Sequence, residues 1–433
     1  MVRRSKDLSR DVKVIHLTDL HVDRDYSGAG KGKCFLGICC KSTNETSDAQ
    51  VDLGEWGDAQ GCGVPLHTFQ NLLQHINESH PDVDYIVWTG DTAAHDSWFQ
   101  SPAANLETVH VVTELIQKAL PDVPVYPAVG NHDIFPINQF PGSDEVVGSG
   151  DFWFYKSLAS IWKEYIPEDQ VQGFRTYGNF VVRPVEGLRI VVLNTNYCYK
   201  FNWFTYLDHS DPGKQLEWLD RELKSASDAG DHVHLVSHIS PGDEDCLVTW
   251  THHFLRLLHK YRGVVKAQFY GHDHDDRFQV MVGDNDTVLG VAFLGPSLTP
   301  LRKMNPAYRI YTVDAHSKEV KMLETWWMDL AEANRKGKPA WRRLYNTVTD
   351  YRFRPFTLQD WLGFVDDVRR EESLFLDYYR HKSRNWPRPP ESCNETCRTL
   401  NTCNMIVRDP IKYCGAERCK TKSPEECKDF DYY

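Results

Sequence analysis

Six short apolar runs, rich in β-branched residues, most constrain what this chain can fold into. They cover residues 12–18, 85–89, 123–129, 189–194, 232–237 and 264–270. Their nearly continuous apolar character is typical of strands that are covered on both faces. Apolar residues recur at helical spacing between the runs, namely Leu66, Phe69, Leu72, Leu73 and Ile76, and then Val109, Val112, Leu115, Ile116 and Ala119. This alternation predicts a layered α/β domain.

The second half of the chain changes in character. Runs at residues 289–295 and 308–314 favour antiparallel strands and therefore a mixed sheet. Three later segments are predicted as helices: WWMDLAEAN, AWRRLYNTVTDY and LQDWLGFVDDVRREESLFLDYYRHK. A cysteine-rich tail follows Pro387. We therefore expect a lead at residues 1–11, an α/β domain at 12–325 and a helical, disulfide-stapled domain at 326–433.

Charge and hydropathy argue against two classes of function. The chain has 49 basic and 61 acidic residues, a formal net charge of −12, whereas a protein that binds a nucleic-acid backbone needs a basic face. We expect no nucleic-acid binding. No stretch of about eighteen apolar residues occurs, so no membrane-spanning helix is predicted.

The cysteines indicate an exported protein. There are twelve, in irregular clusters without a C-x₂-C pair, which favours disulfides over zinc knuckles. Asn-x-Ser/Thr sequons at Asn44, Asn77, Asn285 and Asn394 agree with export. The first residues, however, lack the apolar run of a signal peptide. We expect a secreted or lysosomal protein whose signal peptide is not in this sequence.

Polar residues follow the predicted strands at the points where they end. They are Asp19 and His21, Asp91 and His95, Asn131 and His132, His238, and His272 and His274. Ligands of α/β sheets bind at the carboxyl ends of strands. Oxygen and imidazole ligands without thiolate suit Zn, Mn or Fe. Turn chemistry explains the Gly, Asn and Asp residues but not the imidazoles. Seven of these nine residues, taken as ligands, exceed the needs of one ion and match two ions that share a carboxylate.

This ordered set of D-x-H, G-D, G-N-H, a lone His and G-H-x-H resembles the calcineurin-like metallophosphoesterase superfamily. Longer segments of this chain resemble the acid sphingomyelinase family within it: TDLHVDRDY, VWTGDTAAHD, VYPAVGNHD, DPGKQLEWL, SHISPG, AQFYGHDHDD and FLGPSLTP. The resemblance implies a two-sheet β-sandwich flanked by helices (α/β/β/α) as the catalytic domain, followed by a helical C-terminal domain. A saposin-like domain precedes the catalytic domain in some members of the family, and no such domain is in this sequence.

The resemblance also assigns roles to the strand-end residues. It implies one zinc ion held by Asp19, His21, Asp91 and His274, and a second held by Asp91, Asn131, His238 and His272. It leaves His132, beside a ligand, as the general acid, with His95 assisting it. Asp133 is expected to orient a neighbour or to cap a turn.

Two enzymatic functions and one binding function follow from the resemblance. The first is hydrolysis of sphingomyelin to ceramide and phosphocholine by a hydroxide that two zinc ions generate. The alternative is a secreted phosphodiesterase that acts on nucleotides or other soluble phosphodiesters. The third is a non-catalytic binding protein, which the filled motif positions disfavour. We expect a monomer.

An aromatic segment bears on the substrate. Residues 196–207, NYCYKFNWFTYL, hold six aromatic residues. Exposed, they would contact a lipid membrane surface or a quaternary ammonium group. Buried, they would form a satellite core.

The resemblance further implies four disulfides: Cys34–Cys39, Cys40–Cys62, Cys198–Cys246 and Cys393–Cys397. The last four cysteines are left open. Either Cys403–Cys414 with Cys419–Cys427, or Cys403–Cys427 with Cys414–Cys419, satisfies the count.

Overall fold

The computed structural model of the chain describes residues 10–27, 30–35, 38–41, 50–142, 152–386 and 392–411. Two large sheets dominate these residues. Their side chains meet in one hydrophobic core, where the ring of Phe269 lies 4.9 Å from that of Tyr311. The predicted two-sheet sandwich is confirmed.

The first sheet has six strands in the described part of the chain. In spatial order they are Trp341–Asn346, Val320–Met328, Ala307–Val313, Val12–Leu17, Tyr85–Trp88 and Val125–Pro127. Val12–Leu17, Tyr85–Trp88 and Val125–Pro127 run parallel, and the other three join the sheet antiparallel to their neighbours. The parallel strands therefore present their carboxyl ends at one edge.

The second sheet has seven strands within the described ranges. In spatial order they are Ile406–Val407, Arg277–Val282, Val288–Leu294, Val265–Tyr270, His232–Val236, Leu188–Val192 and Phe180–Val185. The mixed pairing is confirmed. The segment predicted as antiparallel at residues 289–295 is antiparallel only to Arg277–Val282, because its other edge pairs in parallel with Val265–Tyr270.

Smaller strands and the helices complete the described structure. The small strands are Val22–Asp23, Val64–Pro65, Gly30–Phe35, Ile38–Lys41 and Gln50–Leu53. The α-helices are Leu66–Ser79, Pro102–Ala119, Trp153–Ile161, Val171–Tyr177, Gln215–Ala229, Val248–Lys260, Leu330–Lys336, Leu358–Arg370, Glu372–Lys382 and Glu395–Asn401. None of these described helices has the length and hydropathy that crossing a bilayer requires.

The second sheet is buried on both faces, as its continuous apolar runs predict. Ile190 and Val192 point into the core shared with the first sheet. Val191, between them, belongs to a second core with Leu219 and Phe254, which lie on two covering helices. The period of two along the strand therefore divides its side chains between two apolar layers.

The helical assignment is wrong at residues 326–328 and 341–346, whereas the second half of WWMDLAEAN does form a helix, Leu330–Lys336. Strand Val320–Met328 runs across the predicted boundary, and residues 341–346 form an edge strand of the first sheet rather than a helix. Short apolar runs fit either the helical period of 3.6 or the strand period of two. Pairing with Val320–Met328 makes this segment, which contains Trp341 and Tyr345, a strand. The helices at 358–370 and 372–382 agree with the sequence. The division into domains stays a prediction.

The later helices pack directly on the sandwich. The Trp361 ring lies 4.9 Å from Phe278 and 5.1 Å from Phe293, both on the second sheet. The Tyr345 hydroxyl donates a 2.7 Å hydrogen bond to the buried carboxylate of Asp276. The C-terminal part therefore shares its core with the α/β part.

Three implied disulfides are present in the structure: Cys40–Cys62, Cys198–Cys246 and Cys393–Cys397. Cys403 is also disulfide-bonded. The side chains of Cys34 and Cys39, and the last three cysteines, lie outside the described residues, so the remaining pairings stay predictions. Asn77, Asn285 and Asn394 of the sequons are exposed, and Asn44 lies outside the description.

Candidate metal centre

All nine strand-end residues that the sequence singles out come together at one edge of the sandwich. In each of three groups, one potential ligand atom per residue lies within 4.8 Å of the others. The groups are Asp19, His21 and Asp91; Asp91, His238 and His272; and His21, His95 and His274. Asn131 and His132 join them through the contacts described below. Both sheets therefore contribute side chains to one site.

The backbone turns in an uncommon way at this site. Five of the predicted ligands have positive φ: Asp19 (46°), His21 (42°), Asp91 (57°), His272 (71°) and His274 (65°). Residues other than glycine rarely adopt this left-handed region, and they are often held there at functional sites. These turns are the means by which side chains that follow different strands point to a common centre.

Asp91 lies between the two predicted ligand sets. Its Oδ2 is 3.4 Å from His21 Nε2 and 3.3 Å from His238 Nε2. On one side, Asp19 Oδ1 is 3.9 Å from His21 Nε2 and 3.4 Å from His274 Nε2. This is the position that a carboxylate shared by two cations requires.

The second set closes around the side-chain oxygen of Asn131. Asn131 Oδ1 lies 2.9 Å from His238 Nε2 and 3.0 Å from His272 Nδ1. The Asn131 amide group donates to Asn138 Oδ1 at 2.9 Å, which leaves its oxygen turned toward the two imidazoles. One amide oxygen and two ring nitrogens therefore converge on the side of Asp91 that faces His238.

Backbone carbonyls orient two of the imidazoles. His21 Nδ1–H donates to the Ala93 carbonyl at 2.7 Å, and His238 Nδ1–H donates to the Thr89 carbonyl at 2.7 Å. Each ring therefore turns its Nε2 toward Asp91. His21 Nε2 is buried and has no hydrogen-bond partner among the described residues. A buried nitrogen lone pair aimed at carboxylates is what a metal ligand presents.

The buried negative charge at the site favours the binding of cations. Asp19 and Asp91 are 0% and 1% exposed, and the described ion-pair partners of both are histidines. Burial raises the pKa of Asp19 to about 6. Burial opposes protonation of His238, but the carboxylate of Asp91 outweighs it and raises the pKa of His238 to about 9. Buried anions without a fixed positive charge are costly, and bound divalent cations would remove that cost. The residues present fit a pair of metal ions.

His95 and His132 lie at the partly exposed side of the cluster. The His95 ring is 3.6 Å from His21 and 4.6 Å from His132. The backbone N–H of His132 donates to Asp91 Oδ1 at 2.8 Å. Burial lowers the pKa of both imidazoles. Both residues are nevertheless partly exposed.

Asp133 orients the neighbouring loops, as expected of it. Its carboxylate accepts hydrogen bonds from the backbone N–H groups of Gly130 (2.7 Å), Thr92 (2.7 Å) and Asp91 (3.2 Å). It thereby joins the strand end that supplies Asp91 to the one that supplies Asn131.

Glycine is favoured directly before Asp91 and directly before His272 for two different physical reasons. Gly90 has a φ of 92°, a left-handed conformation that glycine adopts without steric cost. Gly271 has no such φ, but a Cβ atom there would lie 2.6 Å from Asp19 Oδ2. Glycine at position 271 therefore permits the close approach of the backbone to Asp19 rather than a turn.

The sequence did not single out three polar partners of the ligands. Thr18 Oγ1 donates to Asp19 Oδ2 at 2.7 Å, and Asn138 accepts from Asn131. Asp245 accepts from His272 Nε2 at 2.9 Å. Thr18 could have been found from the sequence, because it directly precedes the predicted ligand Asp19. Asp245 comes from a loop without a strand-end pattern, so no signal marked it.

Replacing Asp133 with Asn should destabilise the protein. An amide keeps one acceptor oxygen and turns its NH₂ group toward a backbone donor, so a buried N–H loses its partner. We expect the free energy of unfolding to fall by about 1–3 kcal/mol at neutral pH. Urea unfolding of the metal-free protein measures this. Asp228→Asn, at an exposed carboxylate, is the matched control and should change stability by less than about 0.5 kcal/mol. Equal stability of the two variants would contradict the orienting role.

Comparisons with known proteins agree with this geometry. Residues 12–276 match the calcineurin-like phosphoesterase family, and residues 289–422 match the acid sphingomyelin phosphodiesterase C-terminal region. The chain is 36% identical to the sphingomyelin phosphodiesterase of Bos taurus over 91% of this chain and 64% of that protein. It is 36% identical to the sphingomyelin phosphodiesterase of Homo sapiens over 91% of this chain and 63% of that protein.

A further relative is covered more fully. The acid sphingomyelinase-like phosphodiesterase 3b of Homo sapiens is 31% identical over 93% of this chain and 89% of that protein. The chain thus spans just under two thirds of the bovine and human sphingomyelin phosphodiesterases and most of this third relative. The chain belongs to the calcineurin-like phosphoesterase family, and its C-terminal part belongs to the acid sphingomyelin phosphodiesterase type.

Proposed function

We propose that this protein is a sphingomyelin phosphodiesterase that hydrolyses sphingomyelin to ceramide and phosphocholine at a centre of two zinc ions. The family and the ligand groups imply a binuclear metal site. The observation that supports the proposal most is the position of Asp91 between two sets of candidate ligands, each drawn from both sheets. The matched relatives named for this activity add support.

The ligand assignment follows the contacts. One ion would be held by Asp19, His21, Asp91 and His274, and the other by Asp91, Asn131, His238 and His272. When bound, a metal pair supplies a hydroxide nucleophile near neutral pH and neutralises charge on the phosphoryl oxygens. Zinc suits the mixture of imidazole and carboxylate ligands without thiolate, and Mn or Fe would compete for the same donors.

Two histidines of the chain serve the leaving group. The backbone N–H of His132 donates a hydrogen bond to Asp91. Its imidazole ring belongs to neither of the proposed ligand sets. Its Nδ1 and that of His95 are buried without hydrogen-bond partners among the described residues. A protonated His132 would donate to the leaving oxygen of the phosphodiester, and His95, 4.6 Å away ring to ring, would share that proton.

A soluble phosphodiester is the second candidate substrate. One relative of which this chain covers 89%, phosphodiesterase 3b of Homo sapiens, is named as acid sphingomyelinase-like rather than as a sphingomyelin phosphodiesterase. The same metal centre and the same histidines would serve a nucleotide or another soluble phosphodiester.

Incubation of the zinc-loaded protein with sphingomyelin micelles and with a nucleotide panel distinguishes the two candidates. We expect release of phosphocholine and ceramide from the micelles. Release of a nucleoside monophosphate or of orthophosphate from the nucleotides, without phosphocholine release, would replace the first candidate by the second. Protein treated with a chelator is the control and should be inactive toward both substrates.

Replacing His132 with Ala should abolish turnover while both metals stay bound. Loss of a general acid lowers kcat by about 10²–10⁴-fold. Elemental analysis should show unchanged zinc content, because His132 belongs to neither ligand set. His252→Ala, on helix Val248–Lys260 and outside the site, is the control and should keep full activity. Hydrolysis at the wild-type rate by the His132 variant would remove this residue from the mechanism.

An exposed apolar surface lies close to the centre and favours a lipid substrate. Residues 201–207 contribute Phe201, Trp203, Tyr206 and Leu207, which are 50%, 70%, 77% and 81% exposed. Tyr197 and Tyr199, earlier in the same segment, are buried. The segment therefore divides between core and surface. We propose that its exposed half contacts the lipid membrane surface peripherally.

The apolar surface borders the metal centre through Tyr199. The Tyr199 ring lies 5.1 Å from that of His272 and 5.4 Å from that of Phe201. Gln139, eight residues after Asn131, donates to the Phe201 carbonyl at 3.0 Å and accepts from the Trp203 N–H at 3.1 Å. Contact of this surface with a bilayer would bring the centre close to the lipid headgroups.

Replacing both Trp203 and Leu207 with Ser should weaken binding to sphingomyelin-containing vesicles about tenfold, since much apolar area would no longer enter the bilayer. Sedimentation with vesicles measures the bound fraction. Phe356→Ser removes an equally exposed apolar side chain elsewhere (80% exposed) and should bind as the wild type does. Equal binding by all three proteins would contradict the membrane contact.

The disulfides and the exposed sequons support a secreted or lysosomal location, which we include in the proposal. A monomeric state stays a prediction.

A further inference from the structure

Asp245 makes a polar contact with the metal centre that the ligand assignment does not use. It lies on the loop after strand His232–Val236, one residue before Cys246. His272 Nε2–H donates to its Oδ2 at 2.9 Å, and Lys200 Nζ donates to its Oδ1 at 2.7 Å. Both carboxylate oxygens are therefore engaged, one by a predicted ligand and one by a lysine.

The contact decides which nitrogen of His272 faces the centre. With Nε2 protonated and bonded to Asp245, Nδ1 carries the lone pair, and Nδ1 lies 3.0 Å from Asn131 Oδ1 inside the ligand cluster. Metal-bound histidines commonly donate their second N–H to a carboxylate or a carbonyl, which fixes the tautomer and the ring orientation.

His272 differs in this respect from the other imidazoles of the site. His21 and His238 are oriented by the backbone carbonyls of Ala93 and Thr89, which no substitution removes. His272 is oriented by a side chain. The orientation of this one ring therefore depends on the residue type at position 245.

The loop that carries Asp245 is fastened at both sides. Lys200 N–H donates to the Asp245 carbonyl at 2.9 Å, and Leu247 N–H donates to the Cys198 carbonyl at 2.7 Å. The Cys198–Cys246 disulfide joins the same two segments. Arg277 Nη2 donates to Asp243 Oδ2 at 2.5 Å. Such fastening keeps the carboxylate of Asp245 in place relative to His272.

We propose that Asp245 is a positioning residue that holds His272 with Nδ1 directed at the second metal ion of the centre. The inference rests on the proposed ligand sets. Its consequence is specific: loss of Asp245 should weaken the binding of the ion held by His272 and spare the ion held by His21 and His274.

Zinc affinity measured by competition with a chromophoric chelator tests this inference. In Asp245→Ala we expect one of two zinc ions to bind about 10–100-fold more weakly and the other to bind as in the wild type. Asp245→Asn keeps an acceptor oxygen but not the charge. Its affinity for the weakened zinc ion should lie between those of the wild type and Asp245→Ala. Excess zinc should restore the second ion to Asp245→Ala, which a collapsed site would not allow.

Asp409→Asn is the matched control, because Asp409 accepts from His252 Nδ1 at 2.8 Å in a histidine–carboxylate pair outside the ligand sets. It should bind two zinc ions with wild-type affinity. Wild-type affinity for both ions in Asp245→Ala would overturn the inference, and so would equal weakening in Asp409→Asn. A wild-type protein that binds no second zinc would instead contradict the proposed metal centre.

Discussion

The burial of Asp19 and Asp91 is the constraint on which the structure of the site depends. Two carboxylates less than 2% exposed, with histidines as their described ion-pair partners, carry negative charge into a region of low dielectric. The protonated imidazole of His238 can offset one of these two negative charges but not both. Divalent cations can offset both, so metal binding and local stability are coupled at this edge of the sandwich.

The same carboxylates also join the two sheets. Asp19 follows a strand of the first sheet and accepts the backbone N–H of His272, which follows a strand of the second, at 3.1 Å. His238, from the second sheet, donates to the carbonyl of Thr89, from the first. These contacts hold the left-handed turns in place, so that the fold offsets the conformational cost of the turns. The ligands are thus fixed by bonds that require no metal.

Much of the fold, and the grouping of the candidate ligands at one edge, could be predicted from the sequence because the signals are local. Each ligand follows an apolar run within a few residues, and the parallel topology of the strands brings their ends together. Asp245 could not be predicted, since its link to His272 is set by a loop and a disulfide rather than by a period. The strand at 341–346 was missed because its pairing partner, not its own pattern, decides its conformation.

The loop between Cys198 and Leu207 connects the metal centre to the surface. Its first part places Tyr199 against His272 and Lys200 against Asp245, and the Cys198–Cys246 disulfide fastens it there. Its second part exposes the apolar side chains that we propose as a membrane contact. His95, His132 and His272 are partly exposed at the same site. Because the Tyr199 ring lies against those of both Phe201 and His272, we propose that a lipid held at that surface would place its headgroup toward the centre and leave its chains outside.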